Sequence, residues 1–524
     1  MPRRLRAVVV LFALAGGAGG MEIRDYSATR HDRFSGFPAT PAWNDAAWFG
    51  SRPFTGVGWR PADGTNKRQF ALVSPQHIVC VTHYAPGAGS VIRFLNADGL
   101  TIDRTVDSST AIQNDLGQNT DLSLARFTTP LTAGDKVDAL PYLELADENA
   151  YLNTRLTVFG WQAKAGRGFI AAFDDIEGDG LNLTRALRFD FPINYGWQDD
   201  CYLQGGDSGS PSFATVDAAP ALVSVHTAVD EDDGYRFNYD TFVCHYIAKL
   251  NLLMAADGYQ MTPTAPPPTS LAAAVVRTPE PWRQAMPATC RFDLTNTGTA
   301  VATNPNAVLR FAPAQAPATP DAPGWTVSNG APGEFLLHRA TLPAGETSSL
   351  TVTWPQTGIA GQLPIRLDCW ADGIAVRSYD FTTGLIPSYE AWADGLEQPA
   401  PDADGDGDGI PNLLEYVFGG DPAVASLFQP GGVPLRPQVS AVSGTVSVDF
   451  PVREDAEDRG ITYVVEFSTT LENGSWSADP PPGFAVEEQT YAPDSPGFVR
   501  RTVTFDATAP RRFCRVRVEL DEDG

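Results

Sequence analysis

Gly205, Gly206, Asp207, Ser208, Gly209, Ser210 and Pro211 place one serine hydroxyl on a turn made almost wholly of small residues. Such a turn exposes the hydroxyl and leaves backbone N–H groups free to meet a developing oxyanion. Its glycines also let a substrate backbone come close. The same residues could form a plain Gly/Ser turn without chemistry, so the upstream residues decide. A serine becomes a strong nucleophile only beside a base, and the base needs a carboxylate to orient it. His83 ends the strand-like run VSPQHIVCVTH, and Asp121 opens a second one, DLSLARF. Base, orienter and nucleophile then follow in the order His83, Asp121, Ser208, a set suited to acyl transfer. His77 and Asp115 compete for two of these roles. His77 reads as structural, and Asp115 lacks the apolar alternation that follows Asp121. His31 and His338 read as surface residues, and His245 as a residue on a helix face.

A second constellation is D-x-D-x-D-G-x5-E, complete from Asp404 to Glu415. Asp404, Asp406 and Asp408 would supply three carboxylate ligands to Ca2+ and Ile410 its backbone carbonyl. Asn412 would act directly or through water, and Glu415 would bind through both oxygens. Gly409 permits the sharp turn. The run resembles the EF-hand-like, dockerin or thrombospondin-type-3 calcium loops of secreted proteins, which implies a structural calcium rather than a catalytic one. The competing reading is an acidic flexible linker.

These residues must be held by elements that the rest of the chain predicts. Arg3, Arg4 and Arg6 precede the apolar run from Ala7 to Ala15, and small residues follow. That pattern predicts a signal peptide over 1–20, cleaved near Ala18 or Gly20, and hence a secreted, periplasmic or cell-surface protein. An N-terminal extension covers 21–44. From 45 to 258 short apolar runs alternate with Gly, Asp, Asn and Pro turns, which predicts an all-β barrel or sandwich. An amphipathic helix closes it over CHYIAKLNLLMAAD. Residues 259–270 form a Pro-rich linker expected to act as an extended spacer. Period-2 runs over 271–385 predict an immunoglobulin-like β-sandwich. The calcium segment spans 386–426, and a second small β-sandwich spans 427–524.

The chain has 524 residues and a formal charge of −26. Phosphate binding needs a basic footprint, so nucleic acid and anionic membranes are poor partners. Beyond the signal no apolar stretch is long enough to span a bilayer. Export makes disulfides possible. The six cysteines show no metal-ligand spacing, and the segment boundaries leave Cys201 with Cys244, and Cys290 with Cys369, as the pairs to expect.

The triad motifs give residues 45–255 a resemblance to the trypsin/chymotrypsin-like serine endopeptidases, fewer than half of the chain. GDSGSP is similar to the family's nucleophile signature, and the two strand-like runs are similar to those bearing its histidine and aspartate. The resemblance implies a double β-barrel cleaving protein or peptide substrates. His83 would be the general base, Asp121 its orienter and Ser208 the nucleophile, with the N–H groups of Gly206 and Ser208 forming the oxyanion hole. It also implies that Tyr202 lies near the S1 floor and that VSVHTA, with His226 and Thr227, forms an S1 wall. A histidine there resembles the glutamyl endopeptidases and suggests a weak preference for Glu or small residues at P1. The plainer reading of His226 is a hydrogen-bonding wall residue. Three departures stand out: Ser210 replaces a glycine, Cys201 lies too far from Ser208, and no Ile-Val-Gly-Gly start exists to supply an amine for Asp207. The alternative for the whole chain is a secreted adhesion or binding protein whose barrel is inactive. In either case the C-terminal modules could associate with a cell surface.

Overall fold

The computed structural model describes residues 20–520 except 65–67, 179–180, 194, 233–234, 279–281, 285–286, 313–316, 356–360, 382, 387, 395, 430–432, 473, 491–496 and 507–512. The predicted signal peptide lies outside the described residues, apart from Gly20. The molecule is mainly β. Six antiparallel strands close a barrel in the order Val57–Trp59, Gln69–Ser74, His77–Cys80, Asn119–Phe127, Thr101–Gln113 and Val91–Leu95. Apolar residues fill Gln69–Ser74 and His77–Cys80, and every residue of both strands is buried.

A seven-stranded antiparallel sheet follows, in the order Lys164–Phe169, Arg155–Gly160, Pro211–Val216, Ala219–Asp232, Tyr235–Phe242, Leu181–Pro192 and Ala172–Gly178. One hydrophobic core joins it to the barrel: Val79, Val81 and Leu122 from the barrel meet Phe159, Phe213 and Val225 from the sheet. The expected closing helix spans Ile247–Met254 and drives Leu250 and Met254 into this shared core. Burying several large apolar side chains at about 1.5–3 kcal/mol each is what makes barrel and sheet one body. The catalytic candidates lie between the two.

The Pro-rich stretch is extended at its start, as expected, yet it is tied down. The Tyr142 N–H donates to the Thr262 carbonyl at 2.9 Å, and the Thr264 N–H donates back to Tyr142 at 2.9 Å. Beyond it, the sheet Leu271–Thr278, Ala288–Asn296, Thr347–Trp354 shares a core with the five-stranded sheet Thr326–Asn329, Glu334–His338, Asn306–Phe311, Ile365–Trp370, Arg377–Asp380. Burial alternates along Ala288–Asn296 with the period of two that its sequence carries. Farther on, Ile410, Tyr416 and Phe418 of the acidic segment share a core with Val448, Phe450 and Phe505 of the C-terminal strands.

The expected disulfides are not formed. Cys201 points its thiol at the Arg167 carbonyl, 3.4 Å away, whereas Cys244 faces the carbonyl of Leu222 at 3.6 Å. Cys290 and Cys369 are buried in the core shared by the sheets of 271–385 as small apolar side chains. Thiol titration of unreduced protein in denaturant should therefore find all six cysteines reactive. Finding four or fewer would contradict this account.

Candidate active site and calcium loop

Strand pairing brings the first two candidates together. Cys80 pairs with Ser123 across His77–Cys80 and Asn119–Phe127, so Asp121 lies just beyond the pairing, beside the turn Thr82–Tyr84 that holds His83. Asp121 is fully buried. Both of its carboxylate oxygens lie 2.8 Å from His83 Nδ1, and one also accepts the His83 backbone N–H at 3.1 Å. An ionised carboxylate can only accept, so Nδ1 is the donor in this pair, an arrangement that in a neutral imidazole leaves the lone pair on Nε2. The Thr184 hydroxyl receives the Asp121 N–H at 3.0 Å, which fixes the far side of this residue to the seven-stranded sheet. His77 and Asp115 are elsewhere: His77 bonds Ser74 and Asp257, and exposed Asp115 pairs with Lys249.

The Ser208 turn is fastened on both sides. The Gly209 N–H donates to the His226 carbonyl at 2.8 Å, and the His226 N–H donates to Ser210 at 2.9 Å. Gly209, at φ +86°, abuts Val81; a methyl group added there would lie 3.4 Å from Val81 Cγ2. The turn thus abuts the segment that ends in His83. Gly206 has φ +110°, a conformation that favours glycine. Among the described residues the N–H groups of Gly206 and Ser208 have no hydrogen-bond partner, whereas those of Asp207, Gly209 and Ser210 are all used. Two free donors flanking a serine are the raw material of an oxyanion hole.

Three buried carboxylates precede Ser208. Asp207 accepts the backbone N–H groups of Trp161 and of Gln204, the latter at 2.7 Å. Burial raises its pKa, and the N–H groups of Trp161, Gln204 and Met21 pull it back. The lack of an Ile-Val-Gly-Gly start has therefore not left Asp207 unpartnered: Met21 reaches it. Asp199 meets Arg30 at 2.6 Å, His31 at 3.0 Å and Arg167 at 3.1 Å. Burial works against its charge, but His31, Arg30 and Arg167 hold its carboxyl well below the usual range. His31, expected on the surface, is fully buried and corrects that reading. Nothing in the apolar periodicity around it signals this role, because its partner is 168 residues away. Asp200 is the third, and its partner Arg366 comes from beyond the linker.

The substrate-side candidates are also placed. Tyr202 pairs with Glu22 and packs by Phe191, with Arg236 over its ring. His226 is buried and its Nδ1 lies 3.0 Å from Asp240, whose other oxygen accepts from Ser212 and Ser224 at 2.6 and 3.0 Å. Asp240 went unnoticed in the sequence; it orients His226 as Asp121 orients His83. Thr227 shares a hydroxyl contact with Thr241 at 2.5 Å.

At the second site, oxygen atoms of Asp404, Asp406 and Asp408 lie within 4.8 Å of one another. The loop curls around them: Asp404 accepts from Gly407 and Gly409 at 2.9 and 2.8 Å, and Asp408 accepts from Ile410 at 2.7 Å. Glu415 is buried, and neither carboxylate oxygen has a hydrogen-bond partner among the described residues. Burial and the three aspartates push its pKa up to about 7. A buried acid facing three others without a donor fits a divalent cation's ligand set. Asn412 spends its amide N–H groups on the carbonyls of Gln398 and Ala400, at 2.6 and 3.1 Å, which ties the loop to the preceding segment.

Neither a family model nor a curated protein matches the sequence. Among solved structures the chain is similar to the secreted serine protease VesC from Vibrio cholerae, at 8% identity and a TM-score of 0.27 over 88% of this chain and 96% of that one. At that score the likeness decides nothing, and function is read from the geometry of the chain itself. No helix among the described residues is long and apolar enough to cross a membrane.

His31→Ala removes one of the partners of buried Asp199. It should cost about 1–3 kcal/mol, read as a lower urea midpoint than the wild type. An unchanged midpoint would mean that the His31 contact adds nothing.

Proposed function

We propose that this chain is a secreted serine endopeptidase, its barrel and seven-stranded sheet forming the two halves of a chymotrypsin-like fold. The observation that carries the reading is His83, held through Nδ1 by buried Asp121 next to a serine turn with two free N–H groups. His83 Nε2 would take the Ser208 proton as Oγ attacks the peptide carbonyl. Gly206 and Ser208 N–H would hold the oxyanion, and His83 would return the proton to the leaving amine. Water would then attack the acyl-enzyme with His83 again as base. Asp121 keeps the imidazole in the right tautomer throughout.

Removal of the leader after Gly20 would turn the Met21 amide into an ammonium beside buried Asp207. That charge would favour the ionised carboxylate that burial disfavours. His226, backed by Asp240, would present its Nε2 to a small or acidic P1 side chain. The sandwich modules would serve cell-surface association.

A fluorophosphonate probe should label the wild type and not Ser208→Ala, and Asp121→Asn should lower peptide turnover by on the order of 10⁴-fold. Absence of labelling in the wild type, with the leader removed, would favour the inactive-barrel binding protein instead.

We also propose that the acidic loop binds structural Ca2+ through Asp404, Asp406, Asp408, the Ile410 carbonyl and Glu415, with Asn412 as a further or water-mediated ligand. The buried, unpartnered carboxylate of Glu415 supports this. Roughly millimolar calcium should raise the unfolding temperature of the wild type and leave that of Glu415→Gln nearly unmoved. Equilibrium dialysis that finds no bound calcium would overturn the site.

A further inference from the structure

We propose that the 271–385 unit is a working part of the substrate site, because its Arg366 fixes the segment before Ser208 through Asp200. This rests on the peptidase reading above.

Arg366 lies in strand Ile365–Trp370 and is only 2% exposed. Its guanidinium forks onto Asp200, with Nη1 at 2.7 Å from one oxygen and Nη2 at 3.1 Å from the other. Nε and Nη2 make a second fork onto Asp380 at 2.6 and 2.8 Å. A planar guanidinium can satisfy two carboxylates in this way, and a lysine cannot. The rings of Phe169 and Trp197 flank it.

What Arg366 holds is a short, exacting piece of chain. Asp200 precedes Cys201 and Tyr202, and its carboxylate also accepts the Trp197 N–H at 2.9 Å. Leu203 is fixed in turn by Asn238 at 2.8 Å. The same unit also grips the other flank of the turn. The Val376 N–H meets the carbonyl of Thr215, in the strand Pro211–Val216 that follows Ser208, and the Gly373 N–H meets Asp217 at 2.9 Å. The neighbouring strand is bound as well: the Arg155 N–H donates to Val376 at 2.8 Å, and the Arg155 guanidinium reaches Asp368 at 3.1 Å. Segments before and after the Ser208 turn thus meet a module that lies past the linker, while the turn itself is fastened by His226 and Asp207.

A mere tether between domains needs no buried, doubly forked arginine, since exposed ion pairs contribute little. Here the pair is desolvated, and removing Arg366 would leave Asp200 as an uncompensated buried charge. The segment could relieve that cost by turning Asp200 out to water, which would displace Tyr202. The triad itself is held by other contacts. Arg366 is therefore a positioning residue for substrate, acting through Asp200.

The test uses the full mature chain and compares wild type, Arg366→Gln and Arg366→Lys. Each is assayed for peptide hydrolysis and for fluorophosphonate labelling of Ser208, a small probe that needs only triad and oxyanion donors. In Arg366→Gln, KM should rise by about 10-fold or more while the labelling rate stays within about threefold. Arg366→Lys, which keeps the charge and loses the fork, should fall between. Unchanged KM in a folded Arg366→Gln overturns the proposal, and so does a parallel loss of labelling and hydrolysis, which would be general damage. Should Arg366→Gln fail to fold, Arg366→Lys decides: raised KM with intact labelling supports the proposal, and wild-type KM overturns it. A wild type silent in both assays removes the peptidase reading, and this proposal with it.

Discussion

Burying a carboxylate is costly unless it finds a cation or several donors, and residues 199–207 bury three of them within nine positions. Each one is satisfied by a different part of the chain. Asp199 takes Arg30 and His31 from the N-terminal extension and Arg167 from the sheet. Asp200 takes Arg366 from the following module. Asp207 takes backbone N–H groups, including that of Met21. The segment that leads into the Ser208 turn is therefore fixed by residues far from it in sequence, drawn from the extension, the sheet and the module.

The same logic is repeated at two histidines on a smaller scale. Asp121 and Asp240 are both fully buried, and each holds one imidazole by its Nδ1. Each leaves Nε2 of its histidine unengaged by that carboxylate. One histidine lies in the turn after a barrel strand and the other in the sheet strand Ala219–Asp232, so each half contributes the same device. A buried acid that orients a histidine costs stability locally and gains a fixed tautomer.

Much of this was legible in the residues. The three triad candidates stand out because each sits in a local run whose pattern predicts its element: apolar residues leading to His83, alternation after Asp121, glycines around Ser208. The closing helix and the acidic loop likewise follow from local spacing. His31 and Arg366 were not legible, since an ion pair between residues about 170 positions apart leaves no periodic trace; Asp240 meets His226 only through the pairing of two adjacent strands. Cysteine parity was misleading for a related reason. Six cysteines behind a predicted leader suggest cross-links, but four of them lie buried, and the apolar cores here are large enough to use them as packing. The Pro-rich stretch has the composition of a spacer, yet Tyr142 and the contacts around Val376 bind what it connects.

The proposed chemistry needs Ser208 in a pre-formed turn, served by the N–H groups of Gly206 and Ser208 and held by His226 and buried Asp207. The most direct test is a crystal structure of the mature protein after reaction with an organophosphate. Phosphorus should be bonded to Ser208 Oγ, its oxygen between those two N–H groups, with His226 and Asp207 still on the partners described. An adduct on another residue, or a phosphoryl oxygen turned away from both N–H groups, would contradict it.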